Sequence, residues 1–436
     1  MNLHSNLVIE ENAADLKPLY ERYKEVRQQT VDLCKPLKTE DYVVQPSEFA
    51  SPPKWNLAHV SWFFETFVLK KYKKNYRTYD PRYAYFFNSY YESEGQRTFR
   101  ADRGNMSRPT TEEVYQFRAY IDAKMHNFLE NSAPSEAHPV IELGLHHEQQ
   151  HQELLLTDLK YTLGNNPLFP AYMESPRPDY TSGNHLSQNF LEVEEGVYSI
   201  GYEGNQFFFD NEKGVHKVFL HAFQIQDRLI SNEEYLEFME AGGYQSFKYW
   251  LGPGWEWVKK EQIQAPLYWH KIDGEWHHYT LHGLEKIDLK QPVTHISFYE
   301  ADAFADWKGK RLATEFEWEI ACKLFSPKIP QTANFLESAY LHPIPKNDDN
   351  QFFGNAWEWT NSAYLPYPYY TQEEGALGEY NGKFMINQMV LRGGSCVTPV
   401  SHIRPTYRNF FYPQERWQFT GIRLTEHITS PKKRTP

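Results

Sequence analysis

Between residues 166 and 189 this 436-residue chain changes its period. Before that point apolar residues recur at three- and four-residue steps, as in Leu16, Leu19, Tyr20, Tyr23 and Val26, which gives one face of a helix. Three more such stretches follow: Trp55–Tyr72, a run behind the capping-box pattern Thr110-Thr-Glu-Glu113, and Pro139–Leu163, which Gly164-Asn-Asn-Pro167 stops. Four long helices predict an antiparallel bundle, a fold that builds metal sites from side chains on facing helices. The break itself is rich in Pro, Ser, Gly and Asn, as a linker is. Beyond it come short strand-like runs ("EEGVYSIGY", "HKVFLHAFQIQ", "MVLRGGSCVTP", "TGIRLTE") and two amphipathic helices, Ser231–Ala241 and Tyr299–Trp307. The expected organisation is a helical unit over 1–180, an α+β unit with little regular structure over 190–428, and a tail over 429–436.

Composition narrows the class of partner. A formal charge of -12 with no basic run before the short "KKR" near the end argues against nucleic acid or an anionic membrane. No apolar run is long enough to span a bilayer, and the first residues lack a secretory pattern. Three distant cysteines, Cys34, Cys322 and Cys396, build neither a disulfide framework nor a thiolate zinc site, so a cytoplasmic location is expected with each cysteine a small buried residue. The oligomeric state is not set by these features.

The stretch "LGLHHEQQHQELLL" (143–156) carries the densest chemistry. On a helix His147 and His151 lie one turn apart and can share an ion, whereas His146, Gln149 and Gln152 point elsewhere. His59, in "KWNLAHVSW", is the third candidate ligand; alone it would read as a core histidine. Three neutral imidazoles without a thiolate suit Zn(II), Fe(II) or Mn(II). The same residues contain His-Glu-x-x-His, the zinc-peptidase pattern, in which Glu148 would polarise a metal-bound water. No third zinc ligand occurs at the usual downstream spacing. The competing bland interpretation is a polar, solvated helix face.

The second half carries "RLATEFEWEIAC" (311–322), "GNAWEWTNS" (354–362), "LRGGSC" (391–396) and "TGIRL" (420–424). These resemble the formylglycine-generating-enzyme fold, which is related to C-type lectins, and the first half resembles a DinB-type four-helix bundle. In this order, with "FNSYYESEGQRTFRADRGNMSRPT" and "IRPTYRNFFYPQERWQFTGIRL", they resemble the iron-dependent sulfoxide synthases of ergothioneine biosynthesis. The resemblance implies that His59, His147 and His151 hold Fe(II), with O2 as co-substrate. It implies coupling of cysteine, or γ-glutamylcysteine, to the imidazole C2 of Nα-trimethylhistidine (hercynine) with oxidation of sulfur to the sulfoxide. Three histidines leave three positions on a six-coordinate ion, and holding both reactants side by side removes ~7–11 kcal/mol of barrier. Glu148 would then lie on the helix surface or behind the ligands, and Glu153 would orient one of them.

Further residues follow from the substrates. Tyr90 or Tyr91 is expected to give a proton or hydrogen atom that diverts the thiolate from sulfinate formation, with Tyr364 in competition and simple packing as the alternative for each. Arg97 and Arg100 are expected to hold the thiol substrate's carboxylate. Gln150, Asn409, Phe410 and Phe411 are expected around trimethylhistidine, because a quaternary ammonium favours aromatic faces and amide oxygens. Phe411 and Glu415 stand where the dipeptide-using branch has an acidic residue and an arginine, which favours free cysteine. The rivals are an ovothiol-type synthase, which often carries a methyltransferase domain with a glycine-rich motif absent here, a formylglycine-generating oxidase, which needs a cysteine pair, and a non-catalytic lectin-like module with a closed structural metal site.

Overall fold

A computed structural model describes residues 18–131, 133–174, 189–345, 350–372, 378 and 380–428. Leu16, most of the expected linker and the tail 429–436 lie outside these residues. Among them no helix is long and apolar enough to cross a membrane.

The helical half contains α1 (Leu19–Cys34), α2 (Pro53–Phe63), α3 (Lys70–Tyr72), α4 (Tyr83–Phe87), α5 (Thr111–Asn131) and α6 (His138–Gly164). The capping box ahead of α5 forms as expected: Glu113 N–H donates to Thr110 Oγ1 at 3.1 Å, and Thr110 N–H to Glu113 Oε2 at 2.6 Å. All eleven residues of α2 are buried, and a π-helical turn, Phe64–Leu69, carries it on into α3. A helix apolar on every side must sit in the middle, and α2 packs against both α5 and α6. Gly144 lets α6 approach: a Cβ there would lie 2.7 Å from the Phe64 ring and 2.9 Å from that of Phe63.

The second half runs through β1 (Phe190–Val193), β2 (Gly196–Ile200), β3 (His216–Leu220), β4 (Phe223–Gln226), α7 (Asn232–Glu240), α8 (Gly252–Glu261), β5 (Trp269–Ile272), β6 (Glu275–Thr280), β7 (Gly283–Lys286), α9 (Phe298–Trp307), β8 (Arg311–Leu312), α10 (Glu315–Phe325), β9 (Trp357–Ala363), β10 (Met389–Arg392), β11 (Asn409–Phe411), β12 (Thr420–Gly421) and β13 (Leu424–His427). One sheet has the order β1-β4-β13-β8, another β11-β10-β9-β12. Helices α8 and α10 add to the two expected. The first opens on Gly-Pro and the second lies inside a motif whose Trp and Glu residues obscure its period.

The motifs that carried the resemblance meet in one buried charge lattice. Arg392 pairs with Glu315 and Glu319 at 2.9 and 3.1 Å, Arg408 with Glu315 at 2.8 Å, and Arg423 with Glu358 at 2.7 Å. Trp318 Nε1 donates to the same Glu358 at 2.7 Å. Buried ions of this kind are retained in compensated sets, because a single unmatched member is costly. The three cysteines are buried, as expected.

Glu148 is fully buried rather than on a helix surface. Its carboxylate accepts from Arg27 Nη1 (2.9 Å, α1), Arg118 Nη2 (2.6 Å, α5) and Thr30 Oγ1 (2.7 Å, α1). Burial pushes its pKa up, but the two guanidiniums and the Thr30 hydroxyl outweigh that and hold it below the ordinary glutamate value. We expect Glu148→Ala to destabilise the chain by about 3–5 kcal/mol in urea denaturation, since Arg118 is left buried without its carboxylate. The depressed pKa fixes the sign with pH. The stability difference between wild type and Glu148→Gln should be constant above about pH 5 and shrink as pH falls through the folded-state value. A difference that grows on acidification would contradict this assignment.

Candidate metal centre

His147 and His151 of α6 face α2, where His59 meets them, about a quarter-turn round the helix from Glu148. One ring nitrogen from each of the three lies within 4.8 Å of those of the others, and His59 Nε2 stands 3.2 Å from His147 Nε2. His59 Nδ1–H donates to Phe87 O at the end of α4 (2.6 Å), and His151 Nδ1–H to Asn56 Oδ1 (2.8 Å). Each bond places the proton on Nδ1 and leaves the Nε2 lone pair for the centre of the cluster. His147 Nδ1 is buried and has no hydrogen-bond partner among the described residues. Burial drives all three imidazoles toward the neutral form, His147 to a pKa of about 3. Trp55 and Trp62 stack on His59 at 4.5 and 5.6 Å between ring centres. Neutral, oriented and desolvated imidazoles with no carboxylate among them fit a divalent transition-metal ion, and they leave coordination positions open. Glu148, with both carboxylate oxygens bonded by Arg27, Arg118 and Thr30, is not free to serve as the base that a zinc-peptidase site needs.

A cavity of about 480 Å³ opens beside His147 and His151. Its walls include Tyr90, Arg97, Arg100, Gln150, Asn409, Phe410 and Phe411, so the structure brings together nearly all of the residues singled out from sequence. The helical half of the chain matches the DinB superfamily over residues 22–155, and the other half matches the sulfatase-modifying factor enzyme 1-like domain over 180–340 and 345–428. Hercynine oxygenase of Mycolicibacterium smegmatis is 27% identical over 408 residues, covering 87% of this chain and 92% of that one. Hercynine oxygenase of Mycobacterium tuberculosis is 30% identical over 314 residues, 66% of this chain and 72% of that protein. Ergothioneine biosynthesis protein 1 of Schizosaccharomyces pombe is 29% identical over 57% of this chain, which spans 31% of that longer protein.

The chain belongs to the sulfoxide synthase family of ergothioneine biosynthesis. It is an oxidoreductase, an oxygenase of that pathway.

Within this family member several side chains stand differently from expectation. Tyr91 is fully buried behind Tyr90, the two rings stacked at 4.7 Å, and Tyr90 is the one that lines the cavity. Tyr364 lies behind Phe410, stacked on it at 4.0 Å, with its hydroxyl accepting from Asn211 Nδ2. Arg97 is engaged by Glu92 at 3.0 Å. Glu153 orients no histidine: its carboxylate takes Trp357 Nε1, Ser395 Oγ and Thr398 Oγ1, each at 2.7 Å, and so fastens α6 to the second half. His146, Gln149 and Gln152 do point away, toward His402, Ser401 and α1.

Sequence reasoning missed Arg103 and Tyr380. Arg103 is buried, lies flat on Trp55 with its guanidinium carbon 3.3 Å from the ring centre, and among the described residues bonds to the Ser51 and Ser89 hydroxyls. Burial is the chief influence opposing its charge. A buried guanidinium in a cavity wall, bonded to hydroxyls, retains donors that an anion could take. The signal was present as Arg97-x-x-Arg100-x-x-Arg103, a spacing in which either neighbouring pair makes the same pattern. Tyr380 sits 5.7 Å from the His147 ring, stacked on Phe209, and donates its hydroxyl to Gln150 Oε1. Gln150 Nε2 donates in turn to Tyr407 at 2.7 Å.

Asn56 is the simplest handle on the centre. Asn56→Leu removes the acceptor that fixes the His151 proton on Nδ1, and we expect ferrous affinity to fall by about 10–100-fold in an anaerobic titration. Unchanged affinity would show that Asn56 does not set the orientation.

Proposed function

We propose that this enzyme couples cysteine to the imidazole C2 of trimethylhistidine and oxidises the new thioether to its sulfoxide, with Fe(II) on His59, His147 and His151 and O2 as the oxidant. The observation that carries the proposal is one cavity lined by His147 and His151 of the three-histidine cluster and by the guanidiniums of Arg100 and Arg103. Bound there, the metal supplies electron transfer to O2 and a meeting point for thiolate and imidazole.

The protein's own groups have separable tasks. Arg103, with Arg100 beside it in the cavity wall, receives the thiol substrate's carboxylate; this replaces Arg97, which Glu92 already holds. Gln150 and Asn409 face trimethylhistidine with amide groups. Asn409 Oδ1 accepts the Phe410 N–H (2.9 Å), so its NH2 group is the part left to donate. The rings of Phe410 and Phe411 suit a quaternary ammonium, each contact contributing about 0.5–2 kcal/mol. Phe411, packed edge-on to Trp417 at 5.4 Å, occupies space that a glutamyl extension would need, which favours cysteine over γ-glutamylcysteine. Tyr90 is placed to deliver a proton to a reacting group in the cavity, and Tyr91 backs its ring.

The test is anaerobic loading with Fe(II), then air and trimethylhistidine with cysteine or γ-glutamylcysteine in parallel, read by mass spectrometry. The coupled sulfoxide should form with cysteine. Product from the dipeptide alone would overturn the thiol assignment, and coupling to plain histidine would point to the ovothiol-type reaction instead. Tyr90→Phe should lower sulfoxide formation by about a hundredfold while cysteine sulfinate rises. A Tyr90→Phe enzyme with wild-type product ratios removes Tyr90 from the role and leaves Tyr91.

A further inference from the structure

His59 lies between two indoles. Trp55 stands one turn before it on α2 and Trp62 nearly one turn after, and their rings meet the imidazole at 4.5 and 5.6 Å with interplanar angles of 13° and 18°. The ring contacts continue outward from there. Trp62 reaches the Tyr91 ring at 5.7 Å, and Tyr91 stacks on Tyr90 at 4.7 Å. Tyr90 is half-buried in the cavity wall, with the Lys383 ammonium 4.7 Å from its ring centre. Trp62 and Tyr91 are buried. Packing explains why these positions are rings, but not why the rings are oxidisable. His147, by contrast, is faced by Phe63 at 4.7 Å, a ring that does not give up an electron readily. Trp62 is also unusual in its nitrogen: Nε1 is buried and has no hydrogen-bond partner among the described residues. A buried indole N–H ordinarily finds an acceptor, and its absence calls for a reason. An electron carrier supplies one. With no acceptor to take its proton, an oxidised indole stays strongly oxidising and passes the electron vacancy on instead of trapping it.

An oxygenase that activates O2 before both substrates are seated leaves an oxidant with nothing to consume but its own ligands. We propose that Trp62, Tyr91 and Tyr90 form a one-electron route from His59 to the cavity wall, which gives the enzyme a second activity: it reduces O2 at the expense of thiols when trimethylhistidine is absent. The steps balance. Each oxidising equivalent at the site takes one electron from Trp62, and the vacancy crosses the stacked Tyr91 to Tyr90. Tyr90 releases its hydroxyl proton into the cavity, and a thiol there returns a hydrogen atom to it. The thiyl radicals so formed join in pairs. In sum, four thiols become two disulfides, while O2 takes up four electrons and four protons to become two waters. This rests on the metal being redox-active toward O2, as in the proposed function, and goes beyond that reading in needing no trimethylhistidine.

The iron-loaded full chain is exposed to air with cysteine and no trimethylhistidine, as wild type, Trp62→Phe and Tyr91→Phe at equal iron content. O2 uptake, cystine, radical signals in freeze-quenched electron paramagnetic resonance and oxidised residues in peptide mass spectrometry are read together. Wild type should give a tyrosyl signal and cystine, with little oxidation of His59 or Trp55. Trp62→Phe, which keeps a ring against His59, should lose the tyrosyl signal and inactivate several-fold faster per O2 consumed, with oxidation appearing on His59 and Trp55. Tyr91→Phe leaves the contact between Trp62 and His59 in place, and there the signal should change from tyrosyl to tryptophanyl. The same radical signal and the same inactivation per O2 in all three proteins would overturn the proposal. So would a wild type that couples trimethylhistidine with cysteine yet takes up no O2 with cysteine alone. A loaded wild type that takes up no O2 with both substrates present would instead refute the proposed function on which the route rests.

Discussion

The buried ion cluster of Glu148 with Arg27 and Arg118 fixes everything that the metal site requires of α6. A helix can rotate about its axis with little change in backbone energy, and 100° is enough to move a side chain from one neighbour to the next. A carboxylate with two guanidiniums on α1 and α5 removes that freedom, because any rotation strips a buried charge of its partners. Glu148 follows His147 directly and so lies about 100° round the helix from it. Holding Glu148 toward α1 and α5 therefore holds His147 and His151 toward α2. The glutamate of the His-Glu-x-x-His pattern has here exchanged a chemical task for a positional one.

The remaining faces of α6 explain why its sequence looks too polar for a buried helix. His146, Gln149, Gln150, Glu153, Asp158 and Lys160 each bond to a residue of the second half. What reads in isolation as a solvated stripe is an interface whose polar groups are matched one by one, which is the condition for burying them at all. The helix is thus shared by both halves. The bundle supplies the imidazoles, and β11 with the turn after it supplies the opposite cavity wall, so neither half forms the cavity alone.

What could be read from the sequence follows from how local each feature is. The spacing of His147 and His151, the Thr110 capping box and the ends of α6 depend on neighbours within one turn, and all appear as expected. The order of the two folds was legible because the resemblance rests on Glu315, Glu319, Glu358, Arg392 and Arg423, whose mutual pairing leaves little room for substitution. Arg103, Glu153 and Tyr380 were not legible. Their roles depend on partners that meet them only in the fold: Trp55 beneath Arg103, Trp357 and Ser395 against Glu153, and Gln150 against Tyr380. In the run 97–103, three evenly spaced arginines are indistinguishable until burial selects one of them and Glu92 claims another.

The cavity brings charge close to the histidines. Arg103 lies on Trp55, which stacks in turn on His59, and Arg100 and Arg103 add to burial in keeping His151 neutral. Asp158 and Glu415 line the same cavity, so carboxylates and guanidiniums share one wall. Such a lining suits a substrate that carries adjacent charges of both signs close to its reactive group. Cysteine has that shape: a zwitterionic head two bonds from a thiol that ionises readily beside a metal. Trimethylhistidine has the complementary one, with a permanent cation that aromatic faces can cover and an imidazole that must stay neutral to couple. A cavity lined both by guanidiniums and by the rings of Phe410 and Phe411 has groups suited to each, which is what the proposed coupling requires.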